Sequence, residues 1–244
     1  MVRRALGVVF FVMLFAASAA EPAAEFDAAN RLYEKGEFGA AAAAYQKLAT
    51  NGPVSAALLF NLGNARFRHG EVGRAVLAYR QAEQLAPRDP DIRANLRFAL
   101  GSVPGNNIRT TTTERILAAF TVNELGLITA IAVWLWFGSL AIGQFRPQWK
   151  SAFRPYVIAA AFSTVLFGTW FGFVLAHRAN NRTAVVTAST AVVRFGPLVE
   201  SQVSFNVRDG NELRIVDRKG AWLQVLDAAN RGGWIQTNEV VELP

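Results

Sequence analysis

Side chains that could do catalytic or metal-binding chemistry are sparse in this sequence. Its 244 residues include no cysteine, which excludes disulfides, thiolate metal sites and a cysteine nucleophile together. The two histidines, His69 and His177, are expected in a turn and at the edge of an apolar block. No nucleophile triad, HExxH, P-loop or GxGxxG pattern is present, so we expect no enzyme, no cofactor and no metal. The net charge of +7 comes from scattered arginines, which argues against nucleic-acid binding.

The elements that would position the remaining polar groups begin with an internal repeat. A shift of 34 residues superimposes Asn30 on Asn64, Gly36 on Gly70, Glu37 on Glu71, Ala41 on Ala75, Tyr45 on Tyr79, Pro53 on Pro87, Asn61 on Asn95 and Leu62 on Leu96. This period, with small residues at the helix crossing and a final proline, resembles the tetratricopeptide repeat, a pair of antiparallel helices. In that pattern the helices of the second repeat pack through Gly63, Ala75, Tyr79 and Ala82, and Ala29 takes the place of Gly63 in the first.

The resemblance implies an α-helical solenoid over residues 25–100, with about two repeats and a capping helix at 89–100. Its first helices would line a partner-binding groove with Asn30, Tyr33, Phe60, Asn61, Asn64, Phe67, Arg68 and Asn95, beside Phe26, Asp27 and Phe98. The amides would bond the backbone of an extended peptide or a chain terminus, and Arg68 would pair with a carboxylate. The alternative interpretation is that the asparagines only brace neighbouring turns.

The N-terminal residues 1–20 have the layout of a secretory signal peptide. Arg3 and Arg4 precede a short apolar core, and small residues stand ahead of Glu21. An uncleaved anchor is the alternative, and under either interpretation the residues from Glu21 onward are expected to be exported.

Two later apolar blocks, 125–145 and 156–176, each run 21 residues without a charged side chain, as transmembrane helices do. The segment 146–155 between them contains Arg146, Lys150 and Arg154 and no acid, which is typical of a cytoplasmic loop. Pro147 and Pro155 are the expected breaks between the helices. The sequence therefore predicts a two-pass protein of the bacterial inner membrane with both soluble domains in the periplasm.

Residues 101–123 are predicted to link the repeats to the first span. Gly101, Pro104 and Gly105 favour a flexible connector. Two capping boxes, Thr111 to Glu114 and Thr121 to Glu124, then indicate the starts of a short interfacial helix with Ile116, Leu117 and Phe120 and of the span itself.

Small residues recur every four positions in the second span and include the GxxxG pair Gly168 and Gly172. Gly126, Ala130 and Gly138 follow the same period in the first span. Such faces let helix backbones approach closely, so we expect them to pack the two spans together or, alternatively, against a span of a partner. Neither span contains Asp, Glu, Lys, Arg or His, which indicates an anchor rather than a transport path.

The segment 183–244 changes to short β-branched runs separated by turn residues. Strands are predicted at 184–187, 191–194, 212–217, 221–226 and 233–236, with turns at Asp209-Gly210 and Lys219-Gly220. The small β-barrel that they would form resembles the bacterial SH3-like domain, whose marks are Arg194, Gly196, Pro197, Trp222, Gly233 and Trp234. Trp222 and Trp234 could face a ligand, although in such domains one of them more often belongs to the core.

The order of these parts resembles the BatE proteins of the bacterial aerotolerance (Bat) operons. The resemblance implies a multidomain inner-membrane scaffold that works beside von Willebrand factor A-domain membrane proteins, a MoxR-type ATPase and other Bat components in envelope stress tolerance. From the residues, two functions remain open: an anchored scaffold that binds protein partners, or an envelope sensor whose SH3-like domain binds peptidoglycan or cell-wall peptides.

Overall fold

A computed structural model describes residues 24–106 and 120–243. These residues form two compact units, of which the first combines 24–106 with 183–243 and the second lies within 120–182. The predicted signal peptide at 1–20, the capping box at 111–114 and most of the predicted interfacial helix lie outside the described residues.

The helical part of the first unit contains five helices. They are α1 (24–34), α2 (Phe38–Asn51), α3 (Ala56–His69), α4 (Val72–Leu85) and α5 (Pro90–Gly101). Ser55 and Asp89 begin α3 and α5, because their side chains accept hydrogen bonds from backbone N–H groups of the first turn. Gly36 and Gly70 make the turns within the two repeats at φ values of +80° and +90°, which glycine adopts without strain.

The helices pack as the 34-residue register predicts. Ala29, Ala41, Ala75 and Ala82 are fully buried where helices meet. A Cβ atom at Gly63 would lie 2.5 Å from the ring of Tyr79, so only glycine fits against that ring without a shift. Tyr45 and Leu62 are among the largest buried side chains in the region.

The other part of the first unit is an antiparallel sheet of seven strands. The strands are β1 (Thr183–Val186), β2 (Thr190–Arg194), β3 (Val203–Arg208), β4 (Glu212–Lys219), β5 (Trp222–Leu226), β6 (Gly232–Gln236) and β7 (Val240–Glu242). The five predicted strands are present with shifted ends, whereas β3 and β7 were missed. The predicted turns at Gly210 and Gly220 are confirmed, with φ values of +87° and +59°.

The prediction of a closed barrel is wrong for this sheet. Its strand order is β3-β2-β6-β5-β4-β1-β7, which leaves β3 and β7 as the two edges among the described strands. Both edges nevertheless contribute to one core, since Phe205 of β3 and Val240 of β7 share a buried cluster with Leu223 and Ile235. The sheet therefore curls over a single core without a ladder that closes it.

The first strand, β1, is buried on both faces. Ala184 and Val186 belong to the core of the sheet, whereas Val185 belongs to a buried cluster with residues of α4 and α5. All three side chains have 0% exposure. The sheet and the helices therefore share a packed interface within one compact unit.

The second unit is a helical hairpin. Helix α6 (Val122–Phe145) is followed by a short 3₁₀ helix (Pro147–Trp149) and by α7 (Lys150–Asn180). The two helices are long and apolar enough to cross a membrane. At 1.5 Å per residue they are about 36 and 46 Å long. The predicted capping box at the start of α6 is confirmed: the Thr121 side chain accepts from the N–H of Glu124, whose carboxylate accepts from the N–H of Thr121.

Two predictions about the hairpin need correction. Pro155 does not break the second helix but lies inside it, because α7 already begins at Lys150 and the proline ring removes only one helical hydrogen bond there. The buried side of α6 is formed by Leu125, Ala132 and Ser139 at a seven-residue spacing. No described atom lies within 4 Å of a Cβ built at Gly168 or Gly172, so these glycines do not pack the two helices together.

Candidate functional site

The asparagines predicted for the groove take part in two equivalent hydrogen-bonded groups. In the first repeat the hydroxyl of Tyr45 donates to Oδ1 of Asn30 at 2.5 Å, and Nδ2 of Asn61 donates to the same oxygen at 3.2 Å. The three residues come from α2, α1 and α3, so the group joins both helices of the first repeat to the next repeat.

The same arrangement recurs 34 residues later. The Tyr79 hydroxyl donates to Oδ1 of Asn64 at 2.7 Å, and Nδ2 of Asn95 donates to that oxygen at 2.8 Å. Burial raises the pKa of the hydroxyls of Tyr79 and Tyr45, so both remain protonated donors at neutral pH. The structure thus supports the bracing interpretation of these amides.

Bracing uses only one end of each acceptor amide. With Oδ1 of Asn30 and Asn64 occupied, the amide orientation is set and each Nδ2 is left without a hydrogen-bond acceptor among the described residues. Both residues line a cavity of about 300 Å³, here named the groove cavity, together with Tyr33, Glu34, Tyr45 and Asn61. The lining of the groove cavity therefore contains three amide side chains and one carboxylate.

The other predicted groove residues lie outside the groove cavity lining. Phe60 packs against the ring of Tyr79, with centroids 6.1 Å apart, and Phe67 stands edge-on to Phe98 at 5.5 Å. The guanidinium of Arg68 lies 4.5 Å from the centroid of the Phe38 ring, a cation–π contact at the start of α2.

Two residues of the groove cavity, Glu34 and Tyr45, were not among the predicted groove residues. Tyr45 could have been found from its match with Tyr79 in the repeat register. Glu34 has no partner at the equivalent place, since position 68 is Arg, so the repeat pattern gave no signal for it.

The two tryptophans of the sheet lie on its outer face. Leu223 and Val225 of β5 and Ile235 of β6 point into the core, so Trp222 and Trp234 alternate to the opposite side. Each is partly buried, and neither belongs to the core cluster. The interpretation that one tryptophan sits in the core is therefore wrong.

Polar residues flank both tryptophans across four strands. In one row Trp234 lies between Arg194 and Gln224, and Gln224 also faces Asp217. In the other row Trp222 lies between Gln236 and Lys219. We name this surface the tryptophan face and define it by Arg194, Asp217, Lys219, Trp222, Gln224, Trp234 and Gln236. Flat aromatic side chains between hydrogen-bonding groups suit a peptide or a carbohydrate ligand.

The turn after β2 is held by two of its predicted marker residues. Nη1 of Arg194 donates to the carbonyl of Ser201 at 2.8 Å, and a Cβ at Gly196 would lie 2.8 Å from Oγ of the same serine. The turn exposes Phe195 and Leu198 at 64% and 62%, so it presents apolar side chains to solvent beside the tryptophan face.

Acidic and histidine side chains do not converge on a metal site in the described part of the chain. There, no group of three or more histidine, cysteine, aspartate or glutamate residues is arranged to hold a metal ion. We consider the groove cavity and the tryptophan face as the two candidate sites.

Comparison with protein families identifies both parts of the first unit. The family model described as tetratricopeptide repeat matches residues 26–90, and that of the bacterial SH3 domain matches residues 187–242. No curated protein sequence matches the chain. The chain therefore contains a tetratricopeptide-repeat segment and a bacterial SH3 domain, and we use these names for the helical part and the sheet from here on.

Proposed function

We propose that the protein is a non-enzymatic, membrane-anchored adaptor that binds a protein partner through the groove cavity. The observation that carries the proposal is that Asn30 and Asn64, whose amides are oriented by bonds from their tyrosines, both line the groove cavity. Groups held in this way bind a ligand without first losing side-chain freedom.

The groove cavity fits an extended segment of polypeptide. Backbone carbonyls or a terminal carboxylate of the ligand would accept hydrogen bonds from Nδ2 of Asn30 and Asn64. The carboxylate of Glu34 would accept a hydrogen bond from a donor group of the ligand. Arg68, in the last turn of α3 and against the ring of Phe38, would provide a further positive charge for an acidic group of the partner.

The hairpin of α6 and α7 is the proposed anchor. Both helices pass the length and composition criteria for a membrane span. The basic residues Arg146, Lys150 and Arg154 near the helical turn favour a cytoplasmic position for it, which would place both soluble parts in the periplasm. A reporter fused after Lys150 should be cytoplasmic and one fused after Pro244 should be exported. The opposite pattern would overturn this topology.

The partners that we propose are von Willebrand factor A-domain membrane proteins of a Bat-type complex for envelope stress tolerance. The order of repeats, hairpin and SH3 domain supports this, since it is the order of parts in the BatE family. The repeats and the SH3 domain are both modules that bind proteins, which agrees with a scaffold.

The experiment that tests the adaptor function uses Asn30→Asp and Asn64→Asp in the tagged full chain. Aspartate retains the oxygen that accepts from tyrosine and from the neighbouring asparagine but replaces the donor that faces the ligand. Recovery of A-domain proteins from native membranes should fall on the order of tenfold, because an acceptor would then face an acceptor. Asn51→Asp, at the exposed end of α2, is the matched control and should leave recovery unchanged. If all three variants recover A-domain proteins as well as the wild type does, the groove cavity is not the binding site for these partners.

The alternative function is an envelope sensor in which the SH3 domain binds peptidoglycan or cell-wall peptides. The tryptophan face favours this alternative, because each of its two partly exposed indoles is flanked by polar side chains of neighbouring strands. The full chain in detergent should then sediment with purified cell wall, and Trp222→Ala and Trp234→Ala should release it. Absence of sedimentation would exclude this alternative and leave the adaptor function untouched.

A further inference from the structure

The SH3 domain contacts the tetratricopeptide segment at the start of α4. Oδ1 of Asp209 accepts from the N–H of Gly73 at 3.0 Å. A Cβ at Gly73 would collide with that oxygen and with the carbonyl oxygen of Val186, so the contact requires glycine at this position. The first turn of a helix has free N–H groups, and a carboxylate is a favourable partner for them.

A charged cluster holds the middle of α4. Arg80 donates from Nε and Nη2 to the two oxygens of Glu212 at 3.0 and 3.1 Å and from Nη1 to Glu83 at 3.2 Å. Burial opposes the charge of Arg80, but the carboxylates of Glu212 and Glu83 raise its pKa overall. A bidentate pair that is mostly shielded from water fixes the distance and the angle between its two elements.

A third contact comes from the chain that follows α5. The amide of Asn106 donates to the carbonyl of Gly210 at 2.9 Å, and its Oδ1 accepts from Nδ2 of Asn211 and from the N–H of Glu212, both at 3.1 Å. Nδ2 of Asn211 also donates to the carbonyl of Pro104 at 3.1 Å. The prediction of a flexible connector is therefore wrong for residues 103–106, which are bonded to the SH3 domain.

Apolar packing fills the space between these polar contacts. Val185 of β1 shares a buried cluster with Val76, Tyr79, Leu96 and Leu100, and Leu243 packs against the same cluster. The apolar faces that α4 and α5 direct away from the first repeat are thereby removed from water.

Positions that the first repeat uses to contact the next repeat are used by the second repeat to contact the SH3 domain. Gly39, equivalent to Gly73, lies under the ring of His69 from α3. Gln46, equivalent to Arg80, accepts from Arg66 of α3 at 2.6 Å. In the repeat register, the SH3 domain thus occupies contacts that a following repeat would make.

We propose that the SH3 domain is the C-terminal cap of the tetratricopeptide array and folds with it as one cooperative unit, into which the apolar hairpin is inserted. Two repeats are fewer than such arrays need for stability, because each repeat leaves one apolar face for its neighbour. The SH3 domain covers the last face.

The cap has a consequence for function. The groove cavity and the tryptophan face belong to one body, so a partner in the groove and a ligand on the sheet would be held at a fixed separation. Both soluble parts would also lie on the same side of the membrane. The second consequence rests on the proposed membrane anchor, whereas the cap itself does not.

The test reverses the charges of the Arg80–Glu212 pair in the full chain in detergent. Arg80→Glu and Glu212→Arg should each increase amide exchange in both α4 and the β3–β4 turn, by about tenfold or more. The double variant should restore much of the protection, because the pair is rebuilt in the opposite sense. Lys47→Glu, which reverses an exposed pair with Glu25 in the first repeat, is the control and should leave α4 unchanged.

Faster exchange confined to the SH3 domain, with α4 unaffected, would overturn the proposal. A cross-link provides a second measurement if the reversed variants do not fold. The chain has no native cysteine, so Asn106→Cys with Asn211→Cys introduces a defined thiol pair. A short bifunctional thiol reagent should link the two in the intact chain and slow exchange in α4. If each thiol reacts with the reagent on its own but the two do not become linked, the proposal would also be overturned.

Discussion

Asp209 caps a helix of another domain through Gly73. The N-cap residue of α4, Glu71, makes no side-chain capping bond, and the N–H of Gly73 bonds to Asp209 of the β3–β4 turn at 3.0 Å. This hydrogen bond therefore satisfies an N–H group in the first turn of α4 and is one of the contacts that join the SH3 domain to the tetratricopeptide segment.

Replacement of Asp209 should separate the contribution of its acceptor oxygen from that of its ionisable carboxyl group. Asp209→Ala leaves the N–H of Gly73 without its acceptor and should lower the free energy of unfolding by about 1 kcal/mol. Asp209→Asn retains an acceptor oxygen and should cost much less. Thermal unfolding of the full chain in detergent measures both, and Asp91→Ala, an exposed first-turn acid of α5, is the control. Equal losses in the alanine and asparagine variants would contradict the capping role.

The same carboxyl group should give stability a defined pH dependence. Burial raises the pKa of Asp209 above the ordinary aspartate value of 3.8, more than the N–H groups of Gly73 and Val72 lower it. The folded state then holds this proton more tightly than the unfolded chain. The contribution of Asp209 is greatest below pH 3.8 and declines as the pH rises through the raised pKa. The difference in unfolding temperature between the wild type and Asp209→Asn, measured from pH 3 to pH 7, should follow this direction. A difference that grows in favour of the wild type with rising pH would contradict it.

Removal of the Tyr79 hydroxyl should weaken the second bracing group. Tyr79→Phe leaves Oδ1 of Asn64 with only the bond from Asn95 and should cost about 1 kcal/mol. Tyr33→Phe is the control, since the Tyr33 hydroxyl has no hydrogen-bond partner among the described residues. Because burial raises the pKa of Tyr79 above the ordinary tyrosine value of 10.0, the stability that it contributes should be present below pH 10 and lost as the pH rises further. A loss of the same size in both variants would indicate that the bond to Asn64 is unimportant.

The hairpin should respond differently at its buried and open small residues. Ala132 is 7% exposed between the helices, whereas no described atom lies near a Cβ at Gly172. Ala132→Leu should therefore accelerate amide exchange in α6 and α7, and Gly172→Leu should not. A strong effect of Gly172→Leu on the isolated hairpin packing would contradict the structure. If Gly172→Leu lowers partner recovery but leaves amide exchange in the hairpin unchanged, the GxxxG face contacts a span of a partner.

Features with a local or periodic signal were predictable. The 34-residue register placed Asn30, Asn64 and their tyrosines correctly because each repeat must pack on the next. The capping box at Thr121 and the glycine turns were found because they need specific residue types. Asn61 and Asn95 were predicted as groove residues and donate to Asn30 and Asn64, but the sequence could not decide between bracing and ligand binding.

Features that depend on contacts between distant segments were missed. The bonds of Arg80 and Asn106 to the SH3 domain join positions more than 100 residues apart, as in the pair Asn106 and Asn211. One signal was available: Ala184, Val185 and Val186 form a continuous apolar run, which indicates a strand that is buried on both faces. Pro155 was misjudged because α7 begins five residues earlier, at Lys150, so the proline lies inside the helix instead of marking its start.

The most direct test of the adaptor function is site-specific photo-cross-linking in living cells. A photoreactive amino acid in place of Glu34 stands on the wall of the groove cavity, and one in place of Gln81 stands on an exposed position of α4 outside its lining. We predict an adduct with a von Willebrand factor A-domain membrane protein from position 34, its loss when Asn64→Asp is added, and none from position 81. The same adduct from both positions, or an adduct from position 34 that persists with Asn64→Asp, would contradict the proposal that the groove cavity holds the partner.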